Sequence, residues 1–466
     1  MISLSLHEKQ TIAFESSATE ILYGGSANSG KSHLMRVQAI AMAMQVPGLQ
    51  IYLFRREYGD LRKNHFEGPS SFMALLADWI GEGFVRFNVS EMSISFHNGS
   101  KIHACHCQHE KDVYGYQGSE IHVLMMDELT HFTDTIYRFL RGRCRIGGLV
   151  IPPDSPWAFP RILNGSNPGG VGHTWVKAAF VDSAKPMQIH QAPDDEGGMV
   201  RQFIPAKMAD NPTGDPVAYR KALMGLGRPE LIKAMLDGDW SIVAGGMFDD
   251  VWNGVVVKTI PAAKIPIGWK ISRIFDWGSS KPFAMGWLAK ADGTSAPGGW
   301  CPKAGSFIQI AEWYGWNGKP DEGLRMTAAE IARGILQRET EMGIANRVTT
   351  GTADSAIWTN ENGNCIADDF ARVGVRWEPA NKAPGSRVNG WELMRKLMRA
   401  AQQIPQEEAG LFIMDNCLQT IRTLPVLPRD KTKTDDVDTG AEDHIGDMLR
   451  YGVSTKVFGV GTVAGF

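Results

Sequence analysis

The sequence predicts two α/β domains in tandem, the first built on a mainly parallel sheet covered by helices on both faces. Three observations carry this reading. A chain of 466 residues is longer than one hydrophobic core usually fills, so two domains of roughly 200 residues each is the natural division. From 18 to about 205, short apolar runs (TEILYGG, LQIYLFRR, EIHVLMMDE, PRILNGSN) alternate with helical stretches such as 31 to 45 and 69 to 80. Apolar strands separated by helices are what a parallel sheet with both faces buried requires. From about 270 onward the order changes, and three strand patterns follow one another before helices and strands alternate again.

Between these halves, residues 209 to 246 carry Pro and Gly breakers around two short helical patterns, the texture of a small helical connector. The division is therefore 1–208, 209–246 and 247–466. In the last part ISRIFDWGSS, KPFAMGWLAK and SFIQIAEWYGW read as an antiparallel meander. Helix 326 to 342, strand 348 to 353, helix 366 to 373, a short strand near 375, helix 387 to 401, strand 411 to 414 and a helix from about 442 complete the order. Three strands followed by alternating helices and strands is the order of ribonuclease H-like domains.

Composition narrows the function less than the pattern does. Hydrophobic residues make up 43%, charged residues 21%, and the formal net charge is -3, so any contact with nucleic acid has to come from local patches. MISLSLHEKQTIAF has no basic segment followed by an apolar core, and no run reaches the roughly 18 apolar residues that span a bilayer. The expectation is a cytoplasmic protein with no membrane partner. Six cysteines lack the spacing of a disulfide scaffold or zinc ribbon. His103, Cys105, His106, Cys107 and His109 could be zinc ligands, but 101 to 107 reads as a strand, which sends Cys105 and Cys107 to one face and His106 to the other.

Gly25, Ser26, Ala27, Asn28, Ser29, Gly30, Lys31 and Ser32 fit the phosphate-binding pattern G-x-x-x-x-G-K-[ST] without a mismatch, after a strand and before a helix. Backbone N–H groups of such a loop turn inward around phosphates; Lys31 reaches the β- and γ-phosphates of ATP, and the Ser32 hydroxyl reaches Mg²⁺. The domain is then a P-loop ATPase of the RecA/ASCE-like kind. VLMMDE supplies the second half of the site: Asp127 holds the Mg²⁺ shell and Glu128 polarises the attacking water. Gln10 is placed to read the adenine edge, although a solvated glutamine is nearly as good a reading. Asn164, Ser166 and Asn167 end a strand with a polar tip suited to sensing the γ-phosphate and coupling its loss to the domain. Arginines at 55, 56, 141, 143 and 145 include candidate transition-state fingers.

In the second half, Asp276, Asp354 and the segment Glu442-Asp443-His444-Ile445-Gly446-Asp447 put carboxylates on strand ends and a helix. Oxygen ligands of this kind suit Mg²⁺ or Mn²⁺, and two ions roughly 4 Å apart can clamp the attacking and leaving oxygens of a phosphodiester. Asp443 and Asp447 are one turn apart on a helix, and His444 lies within a turn of Asp447. Capping explains Asp443 in a first turn but not Asp447, and a hard ion prefers oxygen to imidazole. The order of preference for the third ligand is Asp447, Asp443, His444.

The ordered set GSANSGKS, VLMMDE, NGSNPGG, LDGDW, IFDWGSS, TADS and EDHIGDMLRYG covers nearly the whole chain and resembles the large terminase subunits of tailed double-stranded DNA bacteriophages. The resemblance implies a packaging ATPase that translocates double-stranded DNA, joined to an RNase H-like nuclease that cuts concatemeric DNA. It also implies a homo-oligomeric ring on the portal of the procapsid, with a monomer as the free form, a small terminase subunit as DNA selector, and action in the host cytoplasm outside the mature virion. Two rivals share the motifs. A P-loop helicase or repair ATPase with a nuclease appendage normally shows a second RecA-like half, and only one is visible here. A binding module with a dead nuclease fold is at odds with the intact acidic trio.

Overall fold

The computed structural model describes residues 4–212, 221, 238–240, 246–359, 365–430 and 432–454. The chain divides into two compact units, Met1–Ala244 and Gly245–Phe466. Most of the expected connector at 209–246 lies outside the described residues. Among the described residues no helix is long and apolar enough to cross a membrane.

The first unit is a nine-stranded sheet built from β1 (Glu20–Gly25), β2 (Gln50–Arg55), β3 (Val85–Asn88), β4 (Ser93–Phe96), β5 (Lys101–His106), β6 (Val123–Asp127), β7 (Arg161–Ser166), β8 (Ile189–Gln191) and β9 (Val200–Ala206). Its order is β3-β4-β5-β2-β6-β7-β1-β9-β8. The run from β5 to β9 is parallel, while β3, β4 and β8 are antiparallel additions at the two edges. β1, β6 and β7 are buried at every residue, which is why they read as unbroken apolar runs. Register aligns their ends: Gly24 lies beside Ser166, and Asp127 beside Gly165. Loops leaving these ends meet at one place, as in other open α/β sheets. The helix expected at 31 to 45 is α2 (Lys31–Gln45), preceded by α1 (Glu8–Glu15). The single helix expected at 69 to 80 is instead two short ones, Phe72–Leu75 and Ala77–Gly81, because Leu76 leaves helical geometry with φ -104° and ψ 7°.

On β5, Cys105 is buried and His106 exposed, and Cys107 beyond it is also buried. All six cysteines are free. His103 stacks on Tyr52 with centroids 4.4 Å apart and meets Gln50 Oε1 at 2.9 Å. These side chains are committed to packing.

The second unit contains β10 (Val256–Val257), β11 (Lys270–Asp276), β12 (Ala284–Lys290), β13 (Phe307–Tyr314), β14 (Val348–Ala353), β15 (Trp377–Pro379) and β16 (Leu411–Met414), in the order β10-β16-β13-β12-β11-β14-β15. β11, β12 and β13 form the antiparallel meander, β14 and β15 add parallel on the β11 side, and β16 and β10 extend the β13 side in parallel. The meander flanked by parallel strands is the RNase H-like arrangement. Helices α4 (Ala328–Glu341), α5 (Ile366–Arg372), α6 (Ser386–Ala401) and α8 (His444–Ser454) cover it, with α3 (Asp134–Arg141) in the first unit and α7 (Leu418–Thr423) completing the longer set. α8 begins two residues later than expected. Asp443 therefore precedes the helix, its carbonyl accepting from Asp447 N at 2.9 Å, and does not sit in the first turn. α8 lies close on the sheet because residue 452 is glycine: a Cβ there would stand 2.5 Å from Ile274 Cγ2 of β11.

One buried ion pair fixes α4 to the meander. Arg273 of β11 donates from Nε and Nη2 to the two carboxylate oxygens of Glu339 at 2.6 and 2.7 Å, and Trp287 Nε1 adds a bond at 3.0 Å. Both side chains are at most a tenth exposed. Removing one partner leaves an uncompensated buried charge. Glu339→Ala is expected to destabilise the second unit by about 3 to 5 kcal/mol in chemical denaturation, whereas a change within the noise of the unfolding midpoint would show that the pair holds nothing together.

Candidate functional site

β1 ends at Gly25 and α2 begins at Lys31, so Ser26 to Gly30 form the turn between them. Gly30 has φ 83°, and a Cβ there would fall 2.5 Å from Gln10 Nε2. That close approach is used: Gln10 Nε2 donates to Gly30 O at 2.8 Å, and its Oε1 accepts from His7 N at 3.0 Å. Gln10 thus fastens the loop to α1 and does not present a free amide edge, although it lines the cavity described below.

Lys31 Nζ donates to Ser26 O at 3.0 Å and to Asn167 Oδ1 at 2.7 Å. Burial pushes its ammonium below the usual lysine range, with Glu128 and Asp127 pulling the other way. At the end of β6, Asp127 Oδ2 accepts from Arg55 Nε and from His65 Nε2, each at 2.9 Å. Its Oδ1 is buried and has no hydrogen-bond partner among the described residues. Burial alone would raise this carboxyl, but the His65 contact and the charges of Arg55 and Lys31 hold it well below the usual range. Glu128 takes φ 58°, a left-handed conformation that a glutamate adopts only where the surroundings impose it. Its Oε1 is 3.5 Å from Asn167 Nδ2 and 3.9 Å from Arg55 Nη2. Burial raises its pKa, Lys31 opposes the rise and Asp127 adds to it.

Lys31, Arg55, Glu128 and Asn167 face a cavity of about 690 Å³ lined also by residues 27 to 30, 32 and 33, Gln10, Arg36 and Asn64, with Asp127 buried behind it. Asn167 is the only one of the three expected coupling residues in its wall. The reason is strand alternation. Gly165 turns its face to Met35 and Lys31, so Asn164 and Ser166 point to the other side. Ser166 Oγ accepts from Thr130 N at 3.0 Å, just after Glu128, while Asn164 donates to Tyr137 Oη at 3.2 Å within a buried network. Among the arginines, Arg55 reaches the site. Arg56 donates to His131 O, Arg141 pairs with Glu20, Arg143 lies over Phe139 and Arg145 is near Glu120.

In the second unit, Phe275 and Ala353 are partners on the parallel strands β11 and β14, so Asp276 and Asp354 leave the sheet side by side. α8 brings the remaining acids. His444 Nδ1 stands 3.3 Å from Asp276 Oδ2, and its Nε2 stands 3.2 Å from Asp321 Oδ1. Arg387 of α6 donates to Asp443 Oδ2 at 3.0 Å, Asp447 Oδ2 at 3.2 Å and Asp436 Oδ1 at 2.7 Å. Asp447 Oδ1 also accepts from Arg450, and Asp354 pairs with Lys382. Burial lifts Asp276 to about 6; His444 opposes this, while Asp447 and Asp354 add to it. Asp443 is lifted to about 7 by burial and by Asp447. The Tyr451 hydroxyl is also raised, by burial and then by the charges of Asp276, Asp447 and Asp354.

Among the described residues, no three His, Cys, Asp or Glu side chains stand in a geometry that holds one metal ion. The donor chemistry nevertheless fits an oxygen-preferring dication. The charges of Asp447 and Asp354 add to the rise at Asp276, that of Asp447 adds to the rise at Asp443, and cationic side chains lie against Asp354, Asp443 and Asp447. Asp321, Arg387, Lys382 and His65 were not legible in the sequence as site residues, since turn, helix-surface and buried-core positions look the same without the fold.

The raised carboxyls give a pH dependence whose sign follows from linkage. A carboxyl with a folded pKa of about 7 and an ordinary unfolded value near 3.9 favours folding below both values. Its contribution is lost as pH rises through about 7. In EDTA, wild type and Asp443→Asn are therefore expected to melt together near pH 4 and to separate by pH 8, with the asparagine variant the more stable. Parallel melting curves at both pH values would contradict the crowding of charge around Asp443.

Comparison with known proteins bears on the first unit most directly. A family model described as phage terminase large subunit matches residues 17–201. No curated protein matches the chain. Among solved structures, the HK97 bacteriophage large terminase is 11% identical, with 97% of this chain and 95% of that chain covered at a TM-score of 0.44. The large terminase of a thermophilic bacteriophage in complex with ADP is 15% identical, with 98% and 100% covered at 0.40. The large terminase nuclease from thermophilic phage G20c with bound cobalt is 12% identical, with 45% of this chain and 97% of that chain covered at 0.31. The family match covers residues 17–201, which contain the phosphate-binding loop and the Asp127-Glu128 strand end, and makes this segment similar to the phage terminase large subunit family.

Proposed function

We propose that the chain is the motor subunit that packages double-stranded DNA into a viral procapsid, with residues 1–208 as the ATPase, 209–246 as a helical connector and 247–466 as a metal-dependent DNA endonuclease. The observation that carries the motor reading is the joining of Lys31, Asn167 and Glu128 in one wall of a cavity closed by the phosphate-binding loop. Lys31 exchanges its contacts with Ser26 O and Asn167 for the β- and γ-phosphates of ATP, and the loop N–H groups hold the rest of the triphosphate. Ser32 and Asp127 Oδ1 are the groups that would hold Mg²⁺, which offsets phosphate charge when bound. Glu128 orients and takes a proton from the attacking water. Asn167 touches both Lys31 and Glu128, so its contacts change when the γ-phosphate leaves; Ser166 passes that change to the segment after Glu128.

For the nuclease, Asp276, Asp354 and Asp447 are the groups that would hold Mg²⁺ or Mn²⁺, with Asp443 and His444 beside them. Held there, such ions would supply an activated water and charge stabilisation for the leaving oxygen of a phosphodiester. His444, fixed between Asp276 and Asp321, orients the Asp276 carboxylate. Partners in this reading are duplex DNA, the portal, a small terminase subunit and further copies of the chain in a ring, in the host cytoplasm.

Two sets of variants test the two activities separately. Lys31→Ala and Glu128→Gln are expected to lower ATP hydrolysis by about 10²- to 10⁴-fold, with Glu128→Gln still binding ATP. Asp276→Asn is expected to abolish plasmid cleavage in Mn²⁺ while ATPase activity and packaging of pre-cut DNA into purified procapsids persist. Wild-type hydrolysis by either motor variant, or loss of ATPase in a folded Asp276→Asn chain, would overturn the assignment.

A further inference from the structure

The ATPase reading leaves one fully buried histidine unexplained. His65 and Asp127 are both 0% exposed in their side chains, and His65 Nε2 meets Asp127 Oδ2 at 2.9 Å. His65 Nδ1 has no hydrogen-bond partner among the described residues, so the ring makes a single polar contact, and that contact is with the carboxylate at the end of β6, next in the chain to the cavity-lining Glu128. The backbone is shaped to allow it. Residues Arg62–Phe66 form a π-helical turn closed by Glu67 N to Arg62 O at 3.1 Å, a local widening that often marks functional positions. The turn is tied to the phosphate-binding helix, since Arg36 of α2 donates to Asn64 O at 2.9 Å. Asn64 itself lines the nucleotide cavity.

The two donors to Asp127 Oδ2 are not equivalent. Arg55 is long, 14% exposed, and shared with Glu128 at 3.9 Å, so it is free to follow Glu128. The His65 ring is packed against Phe72, with centroids 6.1 Å apart, and has no other acceptor to follow. Holding Oδ2 determines where Oδ1 points. A Cβ at Gly165 would be 3.4 Å from Lys31 Cβ and 3.6 Å from Asp127 Oδ1, so the unpartnered oxygen lies on the Lys31 side of the sheet.

We propose that His65 is a positioning residue of the motor: it clamps Asp127 Oδ2 so that Oδ1 stays aimed at the Mg²⁺ of bound nucleotide. The inference rests on the ATPase reading. It predicts a defect in metal use with nucleotide binding itself intact, as for other groups that orient a metal ligand from behind.

The test uses the full chain and a fluorescent ATP analogue, titrated in EDTA and in Mg²⁺, together with kcat and KM over a range of free Mg²⁺. His65→Ala is expected to bind the analogue as wild type does in EDTA. It should also need about 10- to 100-fold more Mg²⁺ for the metal-dependent gain in binding and for half-maximal kcat. His65→Gln, which keeps an N–H donor, should recover most of the loss. In an Asp127→Asn background the alanine substitution should have no further effect, because both act through one contact. Should His65→Ala fail to fold, His65→Phe fills the same space without a donor and is expected to show the same Mg²⁺ defect. Wild-type Mg²⁺ dependence in a folded alanine or phenylalanine variant, or equal loss in alanine and glutamine, would overturn the role of His65. A wild-type chain that binds no nucleotide in either condition would instead overturn the ATPase reading.

Discussion

Both units are organised around the same electrostatic constraint: carboxylates collected at the ends of buried strands, where water is too scarce to screen them from one another. A buried acid is stable only if it is neutralised, paired or given a cation. In the first unit the structure answers with fixed cations and a donor, Arg55 and His65 on one oxygen of Asp127 and Lys31 nearby, and Asp127 stays ionised. In the second unit the acids outnumber what surrounds them. Asp276 and Asp443 are pushed up to about 6 and about 7 while His444, Lys382 and Arg387 stand against the cluster. The two clusters differ in this respect: in one the carboxylate is held ionised by fixed neighbours, in the other burial and like charge push two carboxyls up.

The sheets convert sequence positions into these clusters. Parallel pairing sets Gly24 beside Ser166 and Asp127 beside Gly165 in the first unit, and brings Asp276 and Asp354 to one level in the second. Close approach does the rest. Gly165 leaves room for Lys31 and Met35 above β7, and Gly452 lets α8 settle on Ile274 so that Asp447 reaches the end of β11. Bulk at either glycine would move a charged group away from its cluster rather than merely loosen the core.

Much of this was legible in the residues. The phosphate-binding loop, the strand ending in Asp127-Glu128 and the helix at 31 to 45 all carry local patterns, and the structure has β6 and α2 where those patterns lie. Alternation on either side of Asn98-Gly99 marks the turn of the β4–β5 hairpin, but attention to long apolar runs favours buried parallel strands over it. What the sequence could not show is which side chains meet across elements. Asp321 looks like any turn aspartate, Arg387 like a helix-surface arginine and His65 like a core histidine. Only the fold brings them within 3.3 Å of Asp276's imidazole partner, of Asp443 and of Asp127. The same limit explains the coupling residues: Asn164 and Asn167 are three apart in sequence, but a strand face separates them.

The central claim is that both carboxylate clusters are sites for divalent cations and that the two are independent. Titration of Mn²⁺ into the full chain, followed by electron paramagnetic resonance with and without a non-hydrolysable ATP analogue, measures this directly. The account predicts one class of bound Mn²⁺ that is present without nucleotide and lost in Asp276→Asn, and a second that appears only with nucleotide and is lost in Asp127→Asn. Mn²⁺ binding that is indifferent to both substitutions, or a single class lost in either variant, would contradict it.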